Sequence, residues 1–104
     1  RGHALIFVIW EFRVTRGKGR DFIRYYSSSG KWAMLFRKSA AFKGTKLIRD
    51  SKLDTRYLTI DTWNDLGSYK KFKKRFGSEY SVLDRACKEF TSWEHCLGVF
   101  QLIR

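Results

Sequence analysis

Across residues 5–14 the side chains Ile6, Val8, Trp10, Phe12 and Val14 fall on one face of an extended strand. Leu5, Phe7, Ile9, Glu11 and Arg13 fall on the other, so the first half of this strand is apolar on both sides. The glycine-broken basic stretch at 16–20 then reads as a turn opening a helix, with Asp21 in its first turn and Phe22, Ile23, Tyr25 and Tyr26 as its apolar stripe. Three serines and Gly30 end that helix. Trp32, Leu35 and Phe36 follow at i, i+3 and i+4 and predict a second short helix before Gly44 resets the backbone. Residues 45–50 and 56–63 read as two strands of a hairpin joined around residues 51–54.

The second half repeats helix then strand. Asn64 or Asp65 is a candidate N-cap, and Tyr69, Phe72 and Phe76 form a stripe opposite Lys70, Lys71, Lys73, Lys74 and Arg75. After Gly77 the positions Tyr80, Leu83, Cys87 and Phe90 continue a helix to about Thr91, and residues 96–103 close the chain as a strand. The order strand, helix, strand, strand, helix, strand is the ferredoxin-like α+β arrangement, an antiparallel sheet with helices on one side. We expect one domain over residues 1–104. Helices on one side leave the other face of the sheet open, yet the first and last strands are apolar on both; a second copy of the chain is expected to cover it, giving a homodimer.

Composition sharpens this picture in two ways. Nine Phe, five Tyr and four Trp in 104 residues supply a core and exclude a disordered chain. Twenty-two Lys and Arg against ten Asp and Glu give a formal charge of +12, a field that favours anionic partners without naming one. The longest apolar run, residues 4–10, is far short of the ~20 residues that cross a bilayer, so no transmembrane segment is expected. Two cysteines, Cys87 and Cys96, make no disulfide framework, and a reducing cytoplasm is the expected location. The chain begins at Arg1 and its only Met is Met34, so the translated start is expected upstream.

More specific features appear in the motifs Trp32-Ala33-x-Leu35-Phe36, Gly44-Thr45-x-Leu47-x-x-Asp50 and Arg56-Tyr57-Leu58-Thr59-Ile60-Asp61-x-Trp63, continued by Tyr69, Phe72, Glu79-Tyr80, Leu83-Asp84, Cys87, Glu94 and Leu97-Gly98-x-Phe100. Over nearly its whole length the chain resembles the antibiotic biosynthesis monooxygenases, dimeric α+β barrels. The resemblance implies a pocket between sheet and helices in which a small aromatic or polyketide-like substrate is oxidised by molecular oxygen without a bound cofactor. Deprotonating an electron-rich aromatic yields an anion that itself reduces oxygen, so the protein supplies an apolar slot, a proton acceptor and hydrogen bonds to the oxyanion. Quinone-forming members use a Trp at the end of the third strand, a Tyr six residues later and an Asn four residues before the Trp. Trp63 and Tyr69 match; Thr59 stands at the Asn position and offers one hydroxyl in place of an amide. Arg85 is an approximate counterpart of a further Arg. A haem-degrading branch of the fold needs an Asn on the first strand and a Trp and His on the helix after the third; Trp10 and Phe72 stand near two of these positions and no His lies between His3 and His95, which disfavours that chemistry.

The candidate site is therefore Asp61 as proton acceptor, Thr59 or Tyr69 as hydrogen-bond donor to the substrate oxygen, and Trp63 with Trp10 or Trp32 packing the ring. Asp61 stands out because it interrupts an otherwise apolar strand face, where desolvation raises a carboxylate's proton affinity. Pairing with one of the many Lys or Arg is the plainer alternative, and Glu11 is a second candidate base. The aromatic residues have core packing as their alternative role. Cys87 lies in an apolar helical stripe and reads as an inert buried thiol; with no Cys-x-x-Cys and no helical His pair, no metal is expected.

The rival function is a non-catalytic dimeric protein of the same fold that binds a small molecule or an anionic ligand such as nucleic acid. Residues 13–49 carry 11 Lys or Arg and only Asp21 as an acid. Nucleic acid is disfavoured, since Arg56-Tyr57-Leu58-Thr59-Ile60-Asp61 lacks the exposed-aromatic pattern with which RNA-binding members of this fold stack bases. The lysine face of residues 70–75 reads either as a contact for phosphates or as a solvated helix face.

Overall fold

The computed structural model describes residues 4–103. Its elements run β1 (Ile6–Val14), α1 (Gly19–Tyr26), α2 (Lys31–Phe36), β2 (Phe42–Arg49), β3 (Arg56–Trp63), α3 (Leu66–Arg75), α4 (Gly77–Cys87), a single 3₁₀ turn (Lys88–Phe90) and β4 (Thr91–Gln101). The four strands form one antiparallel sheet in the order β2-β3-β1-β4, the ferredoxin-like arrangement expected from the pattern.

Alternation decides what each strand buries. On β1 the side chains Ile6, Val8, Phe12 and Val14 are buried under the helices, and on β3 all of Tyr57, Thr59, Asp61 and Trp63 are. The helices contribute Phe22, Tyr26, Trp32, Phe36 and Phe72 to the same core. Several rings there meet edge to face: Phe12 on Phe22 at 5.3 Å, Phe36 on Trp63 at 5.6 Å and Phe36 on Phe72 at 5.5 Å. Such pairs add roughly 0.5–1.5 kcal/mol each beyond the area they bury. Asp65 caps α3, accepting from the Ser68 N–H at 2.7 Å. Gly30 begins α2 at a close approach, where a Cβ would stand 2.7 Å from the carbonyl oxygens of both Arg24 and Tyr25.

Three boundaries differ by three residues or more from the pattern reading. β2 starts at Phe42 because Gly44, at φ +132°, forms a bulge inside the strand and does not precede it. The last helix ends at Cys87 and not near Thr91, and Phe90 reaches the core from a 3₁₀ turn. β4 starts at Thr91, five residues before the expected Cys96, since its polar first half pairs with β1: Glu94 opposite Phe12 and Trp93 opposite Arg13. A second bulge falls at Leu97, beside Gly98 at φ +142°.

The helix-free face carries Phe7, Ile9, Leu58 and Ile60 half-buried, with Ile48 and Phe100 exposed. Glu11 sits on this face, away from the core, and is buried by Arg56, whose Nε lies 2.6 Å from Oε2, with Arg13 at 3.8 Å. Arg56 also holds Asp50 at 3.0 Å. Glu11 is thus tied into an ion-pair network and is no candidate base. Among the described residues no helix is long and apolar enough to cross a membrane.

Candidate functional site

Asp61 and Thr59 project from the core face of β3, and their neighbours follow from strand register. Thr59 stands opposite Trp10 on β1, and Asp61 stands opposite Thr45 on β2. Thr45 Oγ1 donates to Asp61 Oδ1 at 2.6 Å. The other carboxylate oxygen has no partner among the described residues. Asp61 is only 8% exposed and takes part in no ion pair there, so the salt-bridge alternative does not hold. Desolvation pushes its carboxyl up to about 6, against the opposing pull of the Thr45 hydroxyl. The two buried carboxylates of the described chain therefore differ: Glu11 holds two arginines and Asp61 holds none.

Both residues open onto a cavity of about 40 Å³ between the sheet and the helices. Its walls are Trp10, Phe12, Tyr26, Trp32, Phe36 and Tyr80, and Thr45, Thr59 and Asp61 form its polar floor. Asp84 from α4 and Glu94 from β4 also line it, with side chains 39% and 28% exposed, and so mark its mouth. At ~10–15 Å³ per water the space holds about three waters, roughly the volume of a single aromatic ring. The Trp32 ring meets Tyr80 edge-on at 4.9 Å, and its buried Nε1 has no hydrogen-bond partner among the described residues. Burial pushes the Tyr26 and Tyr80 hydroxyls well above the ordinary phenol range.

Of the residues chosen from the sequence, Asp61, Thr59, Trp10 and Trp32 come together on this cavity. Trp63 and Tyr69 do not. Trp63 is fully buried behind the floor, enclosed by Phe36, Phe42 and Phe72, because it ends β3 beneath α2 and α3. Tyr69 packs on Trp63 at 5.4 Å and lies under the Lys73 ammonium, outside the cavity wall; burial pushes its hydroxyl up to about 12. Arg85 is exposed on α4. Cys87 is buried, its thiol pushed up by desolvation, and Cys96 is exposed. Thr45, Tyr80, Asp84 and Glu94 were missed by sequence reasoning, although the hairpin register carried the signal for Thr45. No three His, Cys, Asp or Glu side chains cluster at metal-binding spacing among the described residues.

A four-stranded ferredoxin-like sheet with an aromatic cavity under its helices is the class this geometry defines. Comparison with solved structures places the fold more narrowly. SnoaB, a cofactor-independent oxygenase from Streptomyces nogalater, superposes with TM-scores of 0.79 and 0.73 in two structures, at 17% and 20% identity, covering 97% of this chain and 95% of that one. A Bordetella bronchiseptica protein provisionally described as an antibiotic biosynthesis monooxygenase gives 0.75 at 14% identity, over 98% of this chain and 100% of its own. Protein SO0527 from Shewanella oneidensis gives 0.70 at 13%, over 97% and 93%. The chain shares its fold with these proteins over nearly its whole length. No family model and no curated protein matches the sequence.

Proposed function

We propose that the chain is a cofactor-independent monooxygenase-like protein that oxidises a small, electron-rich aromatic in the cavity under its helices. The observation that carries this reading is Asp61: a buried carboxylate that, among the described residues of this strongly basic chain, has no cation beside it, with one oxygen fixed by Thr45 and the other unpartnered there on the cavity floor. With its carboxyl near 6, Asp61 is ionised at neutral pH and close to the range in which a general base works best. It takes a proton from the substrate, the Thr59 hydroxyl donates to the developing oxyanion, and Trp10 and Trp32 hold the ring. The anion passes electrons to dioxygen. One oxygen atom stays on the ring carbon as a carbonyl and the other leaves as water, which balances the loss of two hydrogens from the substrate.

The cavity volume favours one ring over a fused polyketide skeleton. SnoaB is named a cofactor-independent oxygenase, which supports the reaction class through the shared fold. A homodimer closed over the helix-free face belongs to the same proposal, supported by the apolar Phe7, Ile9, Leu58 and Ile60 on that face. Oxygen uptake with hydroquinones, and with anthrone as the fused-ring comparison, tests the activity. Asp61→Asn is expected to lower the rate by about 10²-fold or more. Uptake unchanged in that variant removes Asp61 as the base, and no uptake by the native chain with any of these substrates leaves the binding-protein reading in its place.

A further inference from the structure

The charge lining the cavity is the reverse of the charge on the chain. Three of its ten acidic residues, Asp61, Asp84 and Glu94, line this one space, and none of the described Lys or Arg does. The polar floor is open to a ligand: Thr59 is 4% exposed and its hydroxyl has no partner among the described residues. At the mouth an ammonium already occupies the acidic rim, since Lys88 Nζ lies 3.6 Å from Asp84 Oδ2 and 3.6 Å from Glu94 Oε2. That lysine side chain is 63% exposed and its two contacts are long, so it is a weakly held, displaceable cation. The carboxylates do not cluster as a metal site would, and the walls between them are aromatic, the surroundings that suit an organic ammonium.

We propose that the substrate carries a protonated amine, which replaces Lys88 between Asp84 and Glu94 while its aromatic ring enters the cavity toward Thr59 and Asp61. The inference rests on the aromatic-pocket reading above and deepens it. With Asp61 protonated by the transfer, the substrate anion still forms beside the Asp84 and Glu94 carboxylates and is opposed by like charge; a substrate bringing its own ammonium keeps the reacting molecule neutral overall when its ring loses a proton. Anionic aromatics are repelled at the rim for the same reason.

Three probes of matched shape separate the possibilities: tyramine, para-ethylphenol and para-hydroxyphenylpropionate, titrated into the full chain by calorimetry at neutral pH and low salt. Tyramine is expected to bind roughly five- to tenfold more tightly than para-ethylphenol, with the carboxylate probe weakest. Asp84→Asn combined with Glu94→Gln is expected to erase the preference, and Lys88→Met to strengthen tyramine binding roughly fivefold by removing the competing ammonium. Equal binding of tyramine and para-ethylphenol overturns the charge selection and leaves the aromatic pocket standing. A preference that survives in the double variant overturns the rim assignment. Failure of all three probes to bind a folded chain overturns the pocket reading along with this one.

Discussion

Asp61→Asn is the perturbation on which the site can be judged without any substrate. Asn keeps the shape and can still accept from Thr45 Oγ1, but it cannot titrate. In the folded chain the Asp61 carboxyl is pushed up to about 6, from a value near ~3.9 in an unfolded chain. A group whose folded value is raised stabilises the fold while protonated. Its contribution is complete below ~4 and is lost as pH rises through about 6. Two units at ~1.36 kcal/mol each make the full swing about 3 kcal/mol, of which about 2 kcal/mol falls between pH ~4.5 and 7. Urea unfolding of both chains across that range, read as the native stability minus that of the variant, cancels every other titrating group. The difference is expected to shrink by about 2 kcal/mol as pH rises. Activity moves the opposite way, because the base works only when ionised: kcat/KM is expected to climb through pH ~6 in the native chain. A stability difference that stays flat with pH would refute the burial argument, and with it the assignment of Asp61 as a raised, unpaired base.

Thr45→Val removes the bond that holds the Asp61 carboxyl down, so the rising limb of the pH–rate profile is expected to move up by about one pH unit; a limb that stays in place rules out this coupling. Gly30→Ala puts a methyl against the backbone carbonyls of Arg24 and Tyr25, and is expected to cost about 1–3 kcal/mol and lower Tm by roughly 10 °C in a thermal melt; an unchanged Tm would refute the tight seating of α2 on α1. At micromolar concentration light scattering is expected to report twice the 12.4 kDa chain mass, and Ile60→Lys, in the middle of the helix-free face, to return it to one. A native particle of single-chain mass would remove the dimer.

How far the sequence carried can be seen on particular strands. β3 was legible to the residue because Tyr57, Thr59, Asp61 and Trp63 alternate cleanly and turn-forming residues close both ends. The start of β4 was not, since Thr91 to His95 shows no apolar alternation and is held in the sheet by backbone pairing to a long β1. Asp61 was legible as the charge that interrupts an apolar face. Thr45 was within reach, because in the hairpin read from the sequence Thr45 and Asp61 stand equally far from Leu53. Trp63 and Tyr69 show the limit of spacing arguments. Trp63 shares a strand face with Asp61 and Tyr69 packs on Trp63 from α3, but wall and core differ only by which helices lie above the strand end. Asp84 and Glu94 were out of reach: they meet at the cavity mouth only because α4 stops at Cys87 and one 3₁₀ turn swings Glu94 back onto β1.

The distribution of cations around the two buried carboxylates among the described residues bears on function more directly than any motif. Glu11 and Asp61 face opposite sides of the same sheet in a chain with more than twice as many basic as acidic residues. Arginine was available to both. On the helix-free face Arg56 meets Glu11 in a short charge-assisted bond and reaches on to Asp50, which is how a buried carboxylate is ordinarily kept from destabilising a fold. On the helix side, among the described residues, no cation approaches Asp61 and the Thr45 hydroxyl is its one hydrogen-bond donor, and the fold bears the desolvation cost whenever the group is ionised. Pairing Asp61 with an arginine would remove that cost but would hold its proton affinity low and fill the cavity with a guanidinium. A stability defect that one common substitution could relieve, kept where a buried hydroxyl and an aromatic-walled space converge, is the pattern expected of a group retained for its proton chemistry.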